Sequence, residues 1–262
     1  MTQENKNELL IIIPAYNEEK NIDKLLSELE TPKIAQIADV LIMNDASSDQ
    51  TNRIVKARNR DIVTHVFNLG YGSALQLGYK YAVRRNYRYV IQMDADGQHG
   101  VDNIPRIFDE LKKKDENGNY PDIVLGSRFI EGSSPYEAPL VKKIAWSFFR
   151  TLIRLATKRR IADPTTGLQG LSRRTVIYYS KFNHFDDLYP DANMIMKMLL
   201  LGFQLREVPA TMYARTEGVS MHSGLRPVIY MFRMTFSILA SWISVKILHE
   251  DAGIIKEPHH EG

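Results

Sequence analysis

Two carboxylates one residue apart, Asp94 and Asp96, flank Ala95 and close the apolar run Tyr89–Met93. A run of that length and composition reads as a buried strand. If the chain turns after it, both side chains can face one hard cation. A cation held that way keeps open positions, which is what bound phosphates require. Gln98 offers a third oxygen two residues beyond Asp96. An Asp-x-Asp pair alone is a weak signal, because most such pairs are turn residues or solvated surface. Its weight comes from the polar clusters before and after it.

Four clusters matter. Pro14-Ala15-Tyr16-Asn17-Glu18 follows Leu9–Ile13. A ring, an amide and a carboxylate there could grip a nucleoside. The same residues could also begin a helix, with Asn17 as cap and Glu18 or Glu19 at its positive end. In Asn44–Thr51, Asp45 could accept from a base N–H, while Asp49 or Thr51 could merely cap the next helix. Asn68-Leu69-Gly70-Tyr71-Gly72-Ser73-Ala74 puts glycines where backbone approaches something closely, or makes only a turn capped by Ser73. Arg128, after Asp122–Ser127, could neutralise a phosphate.

The elements that must position these clusters alternate. Leu9–Ile13, Asp39–Met43, Ile62–Phe67 and Tyr89–Met93 read as strands. Asn21–Leu29, a segment from Thr51, and Leu75–Arg84 read as helices. Strands separated by helices predict right-handed βαβ units, hence an α/β fold with a mostly parallel sheet flanked by helices. Ligands of such sheets sit at the carboxyl ends of the strands. The clusters fall at those ends, which is the reason to read them as one site.

The chain has 262 residues, enough for one large α/β domain with a small appendage. It has no cysteine, which excludes a disulfide framework and thiolate metal sites. The polar start, Thr2 to Glu8, shows no signal peptide. The net charge of +3 is small, but no acidic residue falls between Leu140 and Ile161, where Lys142, Lys143, Arg150, Arg154, Lys158, Arg159 and Arg160 gather. That excess suggests an anionic partner. Lys142 to Ala156 reads as a helix with Val141, Ile144, Ala145, Phe148, Leu152, Leu155 and Ala156 on one face, and Lys143, Arg150, Arg154 and Lys158 opposite. It either packs on the core with a solvated basic face or lies on anionic lipid. Val228 to Leu248 is the most apolar long stretch. Arg233 and Lys246 leave about 12 uncharged residues between them, short of the roughly 20 a span needs. It reads as an amphipathic helix with Arg233, Ser237, Ser241 and Ser244 on one side. The tail from His249 reads as loose.

The ordered set Ile12–Glu18, Asn44–Ser47, Asn68–Gly70, Met93–Gln98 and Gly126–Arg128 resembles family 2 glycosyltransferases, which have the GT-A (Rossmann-like) fold. The later segments Asp163-Pro-Thr-Thr-Gly167, Val208-Pro209 and Arg215–His222 are similar to the polyprenyl-phosphate sugar transferases, the dolichol-phosphate mannose synthase branch. The resemblance spans roughly residues 9 to 225.

It implies a transferase domain over 1–225, with a nucleotide-sugar half at about 9–130 and an acceptor half at about 131–225. An amphipathic C-terminal helix (226–248) and a flexible tail (249–262) follow. By similarity Pro14, Ala15, Tyr16, Glu18, Asp45, Asn68, Gly70, Asp94, Ala95, Asp96 and Arg128 hold a UDP- or GDP-sugar. Asp94, Asp96 and Gln98 would bind Mg²⁺ or Mn²⁺. Arg128, Arg215, Ser220 and His222 would meet the acceptor phosphate. Asp96, Asp163, Asp191 and Arg215 are the candidates for catalysis. The acceptor implied is polyprenyl (undecaprenyl) phosphate, reacting with inversion, by a peripheral protein on the cytoplasmic face of the membrane. The anionic surface would be met through 142–160 and 228–248, or through a small membrane protein partner.

The chain departs from the branch at Asn193, where relatives often carry a second acidic residue after Tyr189-Pro190, and it lacks their C-terminal spans. A saccharide acceptor in cell-wall or capsule assembly is therefore an alternative. So is a non-catalytic nucleotide-sugar-binding subunit of a membrane complex. No Gln-x-x-Arg-Trp of processive synthases occurs. No aromatic-interleaved basic surface points to nucleic acid.

Overall fold

The structure, a computed structural model, describes residues 7–135, 140–213, 226–251 and 253, without the side chains of 140–142 and 226–229. Seven strands form one sheet in the order β3-β2-β1-β4-β6-β5-β7. They are β1 (Leu9–Ala15), β2 (Ala38–Asn44), β3 (Asp61–Thr64), β4 (Tyr89–Gln92), β5 (Ile123–Ser127), β6 (Gln169–Ser172) and β7 (Leu205–Pro209). The helices are α1 (Ile22–Leu29), α2 (Pro32–Ala35), α3 (Thr51–Ala57), α4 (Tyr71–Arg84), α5 (Asn103–Leu111), α6 (Leu140–Thr157), α7 (Arg173–Ser180), α8 (Ala192–Leu200) and α9 (Arg226–Lys246).

Leu9–Ala15 is apolar throughout because β1 lies between two strands and is covered on both faces. Leu9, Ile11 and Ile13 join one core with Leu25 and Leu26 of α1 and Ile104 of α5. Leu10 and Ile12 join the other with Leu75 of α4, Tyr178 of α7 and Ile195 of α8. The period of two along the strand thus divides one apolar run between two layers.

Every strand but β6 runs the same way. The carboxyl ends of β1, β2, β4 and β5 therefore share one edge. Because β6 is antiparallel between β4 and β5, its start, preceded by Asp163–Gly167, enters at that same edge.

Several expected boundaries move. Pro14 does not end β1, which pairs with β2 through Ala15. The third strand stops at Thr64, and Val66 and Phe67 are exposed. Helix α4 starts at Tyr71, not Leu75, since Gly70 at φ 99° supplies the turn into it. The buried side of α6 is Ala145, Trp146, Phe149 and Ile153, so Ile144, Phe148 and Leu155, expected inside, face out. Arg150, expected on the solvated face, is partly buried with its guanidinium over Phe129. The tail is not loose at its start: Glu250 accepts from Lys197 Nζ and Tyr178 Oη, both at 2.8 Å.

Candidate active site

The first two clusters are stitched together. Asn17, at φ 56°, does not cap a helix. Its amide donates to Ser47 Oγ and its side-chain oxygen accepts from Ser48 N. Glu18 N and Glu19 N donate to Thr51 Oγ1 and Asp49 Oδ2. Tyr16 stands exposed above this knot, while Pro14 and Ala15 are buried beneath it. Asp45 is turned inward. Its oxygens accept from Leu69 N at 2.9 Å, Gly70 N at 2.8 Å and His65 Nδ1 at 2.7 Å. It therefore holds the Asn68–Gly70 turn, whose Asn68 is exposed.

That turn meets a distant backbone. A Cβ on Gly72 would stand 2.0 Å from the carbonyl oxygen of Asp186, and Ser73 N donates to Asp187 O at 3.0 Å. Only glycine permits this approach, so the glycine cluster serves contact with the Asp186–Asp191 segment, and Ser73 is no cap.

Asp94 follows β4. Its Oδ1 accepts from Tyr71 Oη at 2.9 Å, and its Oδ2 lies 3.2 Å from His99 Nε2. A Cβ on Gly167 would fall 2.5 Å from Asp94 Oδ2, so the glycine of the β6 entry makes the room this carboxylate occupies. Burial alone would raise the Asp94 carboxyl. The bonds from His99 and Tyr71 and the charge of Arg128 outweigh it and hold the group below the usual carboxylate range. A third of the side chain stays exposed (33%). Asp96 Oδ1 accepts from Gln98 N at 3.0 Å, and Gln98 O accepts from Tyr213 N at 2.8 Å.

Among the described residues no group of three or more His, Cys, Asp and Glu is arranged to hold a metal. Two carboxylates at a strand end fit Mg²⁺ or Mn²⁺ differently, as a site whose other positions would go to a diphosphate and water. The low carboxyl range of Asp94 and its open side suit that donor set.

Asp163 is fully buried and is bound by Arg128. Arg128 Nε and Nη2 donate to its two oxygens, and Nη2 also donates to Thr165 Oγ1 at 3.0 Å. The indole of Trp146 from α6 lies 5.0 Å from the Arg128 guanidinium. Glu207 of β7 accepts from Ala162 N and Asp163 N, fixing the main chain beneath. Asp163 is thus enclosed and holds Arg128.

Asp191 is partly buried. Its Oδ2 accepts from Tyr230 Oη at 2.6 Å. Burial pushes its carboxyl up to about 6, with the charges of Asp94 and Asp186 adding and the Tyr230 bond and Arg128 opposing. Tyr71 feels both Asp94 and Asp191, and burial with these charges raises its hydroxyl well above the ordinary value. Asn193, the departure from the expected acidic position, is buried. It donates to Asp186 Oδ2 and Ser237 Oγ, both at 2.7 Å.

Pro14, Ala15, Tyr16, Glu18, Asp45, Asn68, Gly70, Asp94, Ala95, Asp96, Gln98, Arg128, Asp163 and Asp191 thus share one edge of the sheet. Arg215, Ser220 and His222 lie outside the described residues. Sequence reasoning missed Tyr71, His99, Trp146 and Tyr230. His99, immediately after Gln98, was within reach of the same motif; Tyr230 and Trp146 carried no local signal.

Comparison with known proteins defines the class. Residues 10–178 match the family described as Glycosyl transferase family 2. The chain is similar to undecaprenyl-phosphate mannosyltransferase of Micrococcus luteus, with 29% identity over 82% of this chain and 88% of the relative. It is similar to polyprenol monophosphomannose synthase of Mycolicibacterium smegmatis, with 27% identity over 86% and 84%. In structure it resembles glucosyl-3-phosphoglycerate synthase of Mycobacterium tuberculosis, with a TM-score of 0.63, 19% identity, and 90% and 79% of the two chains covered. Another structure of that synthase, at a TM-score of 0.60 and 17% identity over 90% and 77%, holds Mn²⁺, uridine diphosphate and phosphoglyceric acid. The chain belongs to glycosyltransferase family 2. It is a glycosyltransferase with the GT-A fold.

Proposed function

We propose that this protein transfers a sugar, with inversion, from a UDP- or GDP-sugar to polyprenyl phosphate at a membrane surface. The observation that carries the reading is the convergence of Asp94, Arg128 and Asp191, close enough for the charges of the first two to act on the carboxyl of the third, in a chain whose relatives are named for polyprenyl-phosphate acceptors. Tyr16 and the Asn68–Gly70 turn, held by Asp45, receive the nucleoside. Asp94 and Asp96 would hold a divalent cation, which would supply positive charge to the leaving diphosphate. Arg128, fixed by Asp163 and Trp146, adds a permanent positive charge beside it.

Asp191 takes the acceptor's proton. A phosphate monoester has a second pKa of about 6, so a carboxylate titrating near the same pH suits its residual proton. The acceptor oxygen then attacks the anomeric carbon, the bond to the diphosphate breaks, and the electron pair leaves with the nucleoside diphosphate. A saccharide hydroxyl is the second reading. The raised carboxyl of Asp191 favours it too, because a hydroxyl needs a base.

The outer faces of α6 and α9 support membrane contact. Helix α9 turns Ser237 and Ser244 inward to Asp186 and Glu250, and Phe232, Phe236 and Leu239 outward. Helix α6 exposes Ile144, Phe148 and Leu155 among exposed Lys143, Arg154 and Lys158. Apolar residues bordered by cations suit a helix lying on anionic lipid. No helix among the described residues is long and apolar enough to cross a membrane.

The test is a panel of UDP- and GDP-sugars with Mn²⁺, with and without undecaprenyl phosphate or a saccharide acceptor, followed by product identification. A sugar-phosphoryl lipid from at least one donor is expected. Transfer to saccharide alone would replace this reading with the second.

A further inference from the structure

Asp191 stands at the N-cap of α8, where an aspartate ordinarily accepts from the first free amides of its helix. It makes no such bond. Asn193 Oδ1 instead accepts from Asp191 N at 3.0 Å, and the Asp191 main-chain carbonyl accepts from Met194 N at 3.0 Å. The local turn is thus held without the carboxylate, which is turned to α9 and meets Tyr230 Oη at 2.6 Å. Among the described residues Asp191 Oδ1 has no hydrogen-bond partner.

Tyr230 is held in turn. Its ring packs edge-on against Phe149 of α6, with centroids 6.3 Å apart, and against Tyr189 at 5.6 Å. Further along α9, Ser237 Oγ donates to Asp186 Oδ2 at 3.1 Å. At the far end Glu250 is paired with Lys197. The hydroxyl of Tyr230 is therefore fixed by its ring, and the ring by Phe149 and Tyr189.

We infer that Tyr230 is a positioning residue of the transfer reaction: its hydroxyl occupies Oδ2 of Asp191 and presents Oδ1 to the acceptor, so that α9 completes the active site rather than merely attaching it to a surface. This rests on the reading of Asp191 as the group that takes the acceptor's proton. Asp191 feels the charges of Asp94 after β4, Arg128 after β5 and Asp186 in the preceding loop, accepts the hydrogen bond of Tyr230, and acts in turn on the Tyr71 hydroxyl of α4. Asp94 and Asp186 favour the neutral carboxyl. A donor hydroxyl favours the ionised form, the one able to accept a proton.

Tyr230→Phe keeps the ring and removes only the donor. In the full-length protein, with the donor and acceptor found by the panel above, kcat should fall about tenfold, as for a misdirected general base. KM for the donor should stay within about twofold, because the donor side is untouched. The acid limb of the kcat profile should move to higher pH. In the Asp191→Asn background the same change should have little further effect, since the two residues act as a pair. Ser237→Ala, which removes a different anchor of α9, should leave the acid limb where it is. Wild-type kcat with an unmoved acid limb in Tyr230→Phe overturns the inference. So does a loss of kcat that only follows a fall in melting temperature. Wild-type kcat in Asp191→Asn overturns instead the reading beneath it, and the inference with it.

Discussion

Arg128 and Asp163 form a closed pair: Nε and Nη2 of the arginine donate to the two carboxylate oxygens at 2.7 and 2.6 Å, and the Arg128 amide donates to Oδ2 at 3.0 Å. The arginine is only 11% exposed and the aspartate not at all. Two fixed parallel bonds set the plane of the guanidinium as well as its place. Its remaining face meets Trp146.

Asp163→Asn should therefore act first on stability. It leaves a buried guanidinium without its counter-charge, a change that costs about 3 kcal/mol. Thermal unfolding should move down by roughly 5–10 °C in a chain of this size. An unchanged melting temperature with abolished turnover would instead make Asp163 a catalytic group.

Gly167→Ala should act on the metal. The added methyl would fall 2.5 Å from Asp94 Oδ2, and Asp94 cannot move without losing Tyr71 or His99. The Mn²⁺ concentration for half-maximal activity should rise by about tenfold or more, the scale on which displacing a ligand's support acts. An unshifted Mn²⁺ titration would show that Asp94 does not hold the ion.

The pH profile follows from Asp191. Its carboxyl is pushed up to about 6, and the ionised form is the one that accepts a proton. Turnover should therefore be low below that pH, rise through it and level off above. An acceptor phosphate with a second pKa of about 6 gives a limb in the same range. Asp191→Asn should lower kcat roughly 10²-fold or more. Whatever limb persists in that variant belongs to the acceptor. A wild-type profile flat from pH 5 to pH 8 would remove Asp191 from the proton path.

Surface binding should depend on both outer helices. Exchanging Phe232 and Phe236 for Ser removes apolar side chains that are 65% and 67% exposed. Arg154→Glu with Lys158→Glu reverses two exposed cations, one on α6 and one just beyond its end. Each double variant should bind vesicles containing anionic lipid roughly tenfold more weakly in cosedimentation. Loss through the α9 pair alone would show apolar contact, not charge, to hold the protein on the vesicle.

The carboxyl edge of the sheet was legible because it depends on local signals. The runs Leu9–Ile13, Asp39–Met43 and Tyr89–Met93 gave β1, β2 and β4, and the polar residues after each run gave the site. The contacts across that edge were not legible. Asp163 reaches Arg128, and Gly167 reaches Asp94, only because β6 enters antiparallel between β4 and β5, a pairing no local pattern encodes. The face of α6 was misjudged because the helix is apolar on more than one side. Trp146, Phe149 and Ile153 compete there with Ile144, Phe148 and Leu155, and the neighbours Phe129 and Tyr230 decide the outcome. The bonds of Asp45 were not legible either, because nothing in its own segment announces His65 or the amides of Leu69 and Gly70.

The approach of Gly72 to the Asp186 carbonyl bears on how the molecule can move. A division near residue 130 separates a donor half from an acceptor half on paper. Yet the turn that ends in α4 and the segment that carries Asp191 are joined main chain to main chain, with no side chain between them to yield. A hinge cannot run along such a seam. On the proposed function, the groups that receive the sugar nucleotide and the carboxylate that meets the acceptor would thus be coupled through the main chain at this seam.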